Sequence, residues 1–132
     1  MKFTTLDSQV SISDQISASD VADLIEEGVE IVVCNRPDNE ATEQPDFEDI
    51  ARVCENSGVE SHHIPFVGDL VEDPHVESFL TLLQSGKKVH AYCRSGARSS
   101  KLWARTRSRQ GIKPEELKER AGQAGYDISQ HV

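Results

Sequence analysis

The chain has 132 residues, 23 of them Asp or Glu and 14 Lys or Arg, with three cysteines and a hydrophobic share of 36%. That length reads as one domain, residues 1–132, able to bury roughly two-thirds of its unfolded surface without a metal or disulfide staple. The net charge of −9 opposes nonspecific attraction to nucleic acid or an anionic membrane. No apolar run approaches the ~18 residues of a membrane span. An odd cysteine count without paired spacing, behind an amino terminus lacking the secretory pattern, points to a cytoplasmic chain with no disulfide framework.

In chain order, the alternation around Val10, Ser11 and Ile12 suits an edge strand. Ser17 with Asp20 at the third following position resembles a capping box, and Ala18, Val21, Ala22 and Ile25 recur at helical spacing up to Gly28. Glu30 to Cys34 contains the β-prone run Ile31-Val32-Val33, the pattern of a strand covered on both faces. Asn35-Arg36-Pro37-Asp38 is a loop at its carboxyl end. A second helix runs from Asp46 as cap along Phe47, Ile50, Ala51 and Cys54 to Gly58. Val59 to Phe66 reads as another strand, followed by a surface loop through Gly68, Asp69 and Glu72. Asp73 as cap and Pro74 open a third helix along Val76, Phe79, Leu80 and Leu83. Lys87 to Tyr92 is a short strand delivering Cys93 to a sheet edge. A helix from near Ser99 carries Leu102, Trp103 and Thr106, and Pro114 opens a last one through Leu117 and Ala121. Repeated strand-helix units predict a three-layer α/β sandwich with a mainly parallel sheet.

Charge is unevenly placed. Residues 1–84 hold nineteen acidic and three basic side chains, and residues 85–132 hold four and eleven, so the parts carry −16 and +7. Between Lys87 and Arg109 lie eight Lys or Arg and no acid, with Cys93 among them.

The most specific local feature is Cys93-Arg94-Ser95-Gly96-Ala97-Arg98-Ser99, between a strand and a helix. Gly96 lets the chain turn, so that successive N–H groups and the helix terminus converge on an anion. Arg98 adds a planar fork of permanent charge, and such surroundings favour the nucleophilic thiolate. Residues 94–99 are therefore read as the anion-binding loop and Cys93 as the nucleophile. The plainer reading, a small buried cysteine beside a solvated basic helix, leaves the glycine turn and the charge cluster unexplained. Asp69 is the candidate general acid for a leaving oxygen and later base for water, with Glu72 and Asp73 as competitors. Arg36 either orients a loop carboxylate, extends the anion site, or forms a surface ion pair. Ser95 and Ser99 are donors to the thiolate or helix-entrance caps. Cys54 reads as structural, and Cys34 as structural or as a second thiol near Cys93. The five histidines show no metal-ligand cluster, so neither metal nor cofactor is expected.

The chain resembles the phosphatase-like domain of the beta-lactamase hydrolase-like proteins, a bacterial family related in fold to dual-specificity phosphatases. The resemblance covers nearly the whole chain. It rests on Ser13-Asp14-Gln15, on Val33 to Asp38 with Glu40, on His63-Ile64-Pro65, on the Cys93 loop, on Leu102-Trp103-Ala104 and on Ala124-Gly125-Tyr126-Asp127. It implies a compact parallel-sheet domain with Cys93 as nucleophile and Arg98 as anion-binding arginine. One departure is marked. Protein phosphatases place five residues between cysteine and arginine and usually a histidine before the cysteine, whereas here four intervene and Tyr92 precedes. The shorter ring resembles that of rhodanese-type sulfurtransferases, and similar proteins are also described as sulfur transferases. The expected activity is hydrolysis of phosphate esters through phosphocysteine. The alternatives are sulfur transfer through a Cys93 persulfide and a noncatalytic phosphate- or sulfate-binding module. The expected partner is a small phosphate or sulfur-containing anion, with a phosphorylated peptide as a further candidate. Oligomeric state does not follow from these residues.

Overall fold

The computed structural model describes all residues, Met1–Val132. Five strands form one sheet: β1 (Thr4–Thr5), β2 (Val10–Ser13), β3 (Ile31–Cys34), β4 (Glu60–His63) and β5 (Val89–Tyr92). Their spatial order is β1-β2-β5-β3-β4. β5 is central, parallel to β2 on one side and to β3 on the other, while β1 is antiparallel to β2. The helices are α1 (Asp20–Glu26), α2 (Phe47–Asn56), α3 (Asp73–Gln84), α4 (Ala97–Arg109) and α5 (Pro114–Gln123), with a closing 3-10 turn at Ser129–His131. None is long and apolar enough to cross a membrane.

The β-branched run of β3 sorts its side chains by strand alternation. Ile31 and Val33 join Ile12, Val89 and Ala91 beneath Phe79, Leu83, Leu102, Trp103 and Leu117 of α3, α4 and α5. Val32, Cys34 and Tyr92 face Val21 and Leu24 of α1 and Ile50 and Cys54 of α2. Helices thus cover both faces of a largely parallel sheet, giving the expected three layers. Cys54 is a fully buried part of the second core.

The strand at Val10 is not an edge. It lies between β1 and β5, and its serines are buried rather than solvated. The polar half of the alternation turns to His90 of β5. Ser13 Oγ donates to the Asp14 carbonyl at 2.8 Å, so it accepts from His90 Nε2–H at 2.8 Å, and His90 Nδ1 accepts from Ser11 Oγ at 2.8 Å. These bonds fix one neutral tautomer. Phe3 stacks on the ring, with centroids 5.4 Å apart.

Element ends also differ from the sequence reading. The Asp46 side chain does not cap α2; Asp38 Oδ1 accepts the Phe47 N–H at 2.9 Å instead. Glu72, not Asp73, is the N-cap of α3, in a reciprocal box with His75, while Asp73 pairs with Arg109 at 2.9 Å. The strand predicted from Val59 to Phe66 spans only Glu60–His63; past it the Ile64 and Phe66 N–H groups still donate to the Cys34 and Asn35 carbonyls at 2.9 and 3.4 Å, and Pro65 between them sits on an edge strand, where no ladder bond is lost. The helix after the cysteine loop starts at Ala97, immediately behind the loop.

Burial pulls the His90 pKa from 6.5 to about 3. The folded state then binds fewer protons than the unfolded one between these values, so stability is full above about pH 6.5 and is lost as pH falls toward 3. The slope from this group is at most about 1.4 kcal/mol per pH unit. Urea unfolding followed from neutral to mildly acidic pH should therefore show a shallower loss in His90→Gln than in the wild type. Equal slopes would show that His90 is not the group responsible.

Candidate functional site

Four parallel strands, β2, β5, β3 and β4, end at the same edge of the sheet, and the site is assembled from the loops that leave them. After β5 the chain turns through Cys93 to Gly96 and enters α4. Gly96 has φ +93°, a left-handed conformation that glycine adopts without steric cost. Its N–H donates to Cys93 Sγ at 3.1 Å. The first amides of α4 follow directly, adding the positive end of a 13-residue helix behind the sulfur. The turn rests on the segment after β2: the Cys93 N–H donates to the Ser13 carbonyl at 3.4 Å and the Gln15 N–H to the Arg94 carbonyl at 3.4 Å. Cys93 is 1% exposed and forms the floor of the loop.

Arg98, on the first turn of α4, reaches across to the loop after β3. Its Nη1 and Nη2 donate to Glu40 Oε2 and Oε1 at 2.9 and 2.8 Å, and Nη1 also to the Phe66 carbonyl at 3.1 Å. Arg36 is buried; its Nε donates to Glu40 Oε1 at 3.0 Å and its Nη1 to Gln15 Oε1 at 3.0 Å. One carboxylate therefore bridges two guanidinium groups. The Arg98 hydrogen bonds, with those of Arg36 adding to them, hold Glu40 below the usual carboxylate range. The Glu40 bonds in turn push Arg98 up, with the Cys93 sulfur contributing. His63 fixes the same loop by bonding the Arg36 carbonyl at 2.9 Å, and Phe47 stacks on its ring.

The structure brings Cys93, Arg98 and Arg36 into one constellation. Arg36 orients a loop carboxylate, and it does so from a buried position rather than in a surface ion pair. Ser95 Oγ accepts the Ala97 N–H at 3.4 Å, a helix-entrance contact. Ser99 is fully buried and donates to Asn35 Oδ1 at 2.8 Å, while Asn35 Nδ2 donates to the Ile64 carbonyl. Ser99 thus ties α4 to the loop after β3. Arg94 is exposed.

Asp69 is not joined to the sulfur by any bond. Its carboxylate is held by Lys101 of α4, lies 4.0 Å from His131 Nε2, and is 67% exposed. The Lys101 contact lowers its pKa, so the group is ionised at neutral pH. Cys34 is buried, donates to the Arg36 carbonyl at 3.3 Å, and burial pushes its thiol pKa up. All three cysteines are free.

Sequence reasoning gave no role to Gln15, Asn35, Glu40 or Tyr126. The available signal was position: Gln15 and Asn35 follow strands whose carboxyl ends share an edge with Cys93. Tyr126, beyond α5, donates its hydroxyl to the Ser95 carbonyl at 2.9 Å. Burial and the nearby Cys93 sulfur raise its pKa, so it remains a donor. Its Oη lies 2.3 Å from where a Gly96 Cβ would be, hence Gly96 is required both by its backbone and by this contact. Gly96→Ala should lower stability, and a double-mutant cycle with Tyr126→Ala should show relief of the clash while the left-handed strain of about 1–2 kcal/mol persists. Strictly additive costs in urea unfolding would rule the contact out.

The model of the family described as beta-lactamase hydrolase-like protein, phosphatase-like domain, matches residues 2–110. Among solved structures, a candidate phosphatase from Neisseria meningitidis Z2491 is 35% identical and has a TM-score of 0.85, over 98% of this chain and 93% of that one. A candidate phosphatase from Shewanella putrefaciens CN-32 has a TM-score of 0.71 at 19% identity, over 92% of each chain. TpbA of P. aeruginosa has a TM-score of 0.69 at 22% identity, over 98% of this chain and 78% of that one. These last two share the fold. No curated protein sequence matches the chain.

Proposed function

The chain belongs to the phosphatase-like domain family of the beta-lactamase hydrolase-like proteins, and from that membership and its loop geometry we propose that it is a cysteine-dependent phosphatase. The observation that carries the reading is the Gly96 N–H directed at Cys93 Sγ at 3.1 Å, with the Arg98 guanidinium alongside. In the proposed reaction Cys93 Sγ attacks phosphorus and the ester P–O bond breaks. Loop N–H groups and Arg98 take the charge that develops on the phosphoryl oxygens. Water then attacks phosphocysteine, the P–S bond breaks, and phosphate leaves with the thiolate regenerated. Glu40 keeps the Arg98 fork in the plane of the site. Because Arg36 shares that carboxylate, the loop after β3 is tied to α4.

The leaving oxygen needs a proton, and Asp69 is assigned that role within this proposal. To supply it, the carboxylate must exchange Lys101 for the substrate and gain a proton against its lowered pKa. Esters with good leaving groups depend little on that step. Asp69→Asn should accordingly slow alkyl phosphates more than activated aryl phosphates in steady-state assays. Equal losses on both would place Asp69 outside the proton transfer.

A second reading is favoured by two features: the ring has only four residues between Cys93 and Arg98, and Asp69 is bonded to Lys101. In that reading Cys93 attacks the outer sulfur of a sulfane donor such as thiosulfate, sulfite departs, and the persulfide passes its terminal sulfur to an acceptor thiol. This chemistry needs no acid. Intact-protein mass spectrometry after brief exposure to an aryl phosphate or to thiosulfate separates the two, with Cys93→Ser as control. The expected result is a phosphoryl adduct with phosphate release, absent from Cys93→Ser. A persulfide adduct with transferable sulfur would replace the first reading by the second. Saturable anion binding without either adduct would overturn both in favour of a binding module.

A further inference from the structure

Of the eight Lys and Arg residues between Lys87 and Arg109, seven have partners within the fold, from Lys87 on Glu60 to Arg109 on Asp73. Arg94 is the exception. Its side chain is exposed and makes no hydrogen bond or ion pair, although the chain carries 23 acidic residues. Its backbone is not free: the Gln15 N–H holds the Arg94 carbonyl at 3.4 Å, and the next residue carries the carbonyl bonded by Tyr126 at 2.9 Å. The guanidinium therefore projects from a fixed point, one residue from the nucleophile.

Charge counting within the site sharpens the contrast. Arg98 spends two of its donors on Glu40, and Glu40 is shared with Arg36, so those three groups together carry a single net positive charge. Of the three, Arg98 interacts with the sulfur of Cys93, a residue 1% exposed. Asp14, beside Gln15, is bonded to the Lys2 N–H instead of to Arg94. Arg94 is thus the uncommitted cation of the loop, exposed and next in sequence to Cys93. An arginine fork in that position matches a carboxylate or phosphoryl group in planar, bidentate fashion.

We propose that Arg94 is a specificity determinant that holds a second anionic group of the substrate, a phosphoryl or carboxylate next to the one that reacts at Cys93. This rests on the reading of the Cys93 loop as the anion site and narrows the substrate class to compounds bearing two adjacent acidic groups. A singly anionic ester leaves Arg94 unused. A diacid engages Cys93's ring and the Arg94 fork together, with the affinity gained by joining two contacts in one ligand.

The test does not require turnover. Alkylation of Cys93 by iodoacetamide, read by peptide mass spectrometry at constant ionic strength, is measured with inorganic phosphate, pyrophosphate or phosphonoacetate as protectant. The two diacids should protect at about tenfold lower concentration than phosphate, the scale of one charge-assisted contact. Whichever is better identifies the second group as phosphoryl or carboxylate. In Arg94→Gln the advantage of both over phosphate should shrink to under about threefold; the side chain has no partner in the fold, so folding is not at stake. An advantage that persists in Arg94→Gln, or that is missing in the wild type, overturns the proposal. Failure of phosphate and diacids alike to protect wild-type Cys93 would remove the anion site itself, a different and recognisable outcome.

Discussion

Glu40 holds the site together. Its two carboxylate oxygens accept from Arg98 on α4 and from Arg36 in the loop after β3, and these are partly to fully sheltered groups rather than a surface pair. Removing Glu40 would leave the Arg36 side chain, 5% exposed, without its carboxylate, whereas at Glu40 itself, with a side chain 26% exposed, water screens part of the interaction. Arg98 is consequently positioned by a residue 58 positions away in sequence. Without that bridge its side chain would keep only the Phe66 carbonyl bond across to the neighbouring loop.

The parallel sheet explains why such distant groups meet. β2 and β3 each pair with β5 in the same direction, so the residues that follow the three strands emerge at one edge. Ser13 to Gln15, Asn35 to Glu40 and Cys93 to Arg98 are three such exits. Each supplies a different kind of group: main-chain bonds and an amide from the first, a buried arginine and its carboxylate from the second, the thiol and guanidinium from the third. Ser99 and Asn35 lock the last two exits to each other. The chemistry of the loop is therefore a property of the sheet edge as much as of the cysteine's own neighbours.

This also explains which parts of the molecule were legible in the sequence. The Cys93 loop was readable because its glycine turn, its charge and its helix entrance are contiguous, and the strand-helix alternation around it is periodic. Glu40, Gln15 and Tyr126 were not readable as functional, because their contacts span long loops and polar residues there are ordinary. The alternation in β2 was misread as an edge strand because a buried histidine satisfies two serines, a solution that hydropathy alone does not distinguish from exposure. Asp69 is a mixed case. Its place in the loop after a strand is legible, whereas its bond to Lys101, three residues along α4 from Arg98, is not. Helix caps were misplaced by one residue or replaced by a distant side chain, as with Asp38 on α2.

The central place of β5 has a consequence for how the protein is made. β2 and β3 do not pair with each other; each pairs with β5. During synthesis the β1-β2 and β3-β4 pairs wait unjoined to each other until residues 89–92 arrive, and Cys93 is the next residue to emerge. The sheet and the loop that starts at Cys93 are completed by the same stretch of chain, followed by α4 and then by Tyr126 closing on the Ser95 carbonyl. A nascent chain thus carries no assembled Cys93 loop before its core exists, and the sulfur gains its surroundings only as it becomes buried. Late, nonlocal strand insertion of this kind slows folding, but it makes assembly of the Cys93 loop coincide with completion of the sheet.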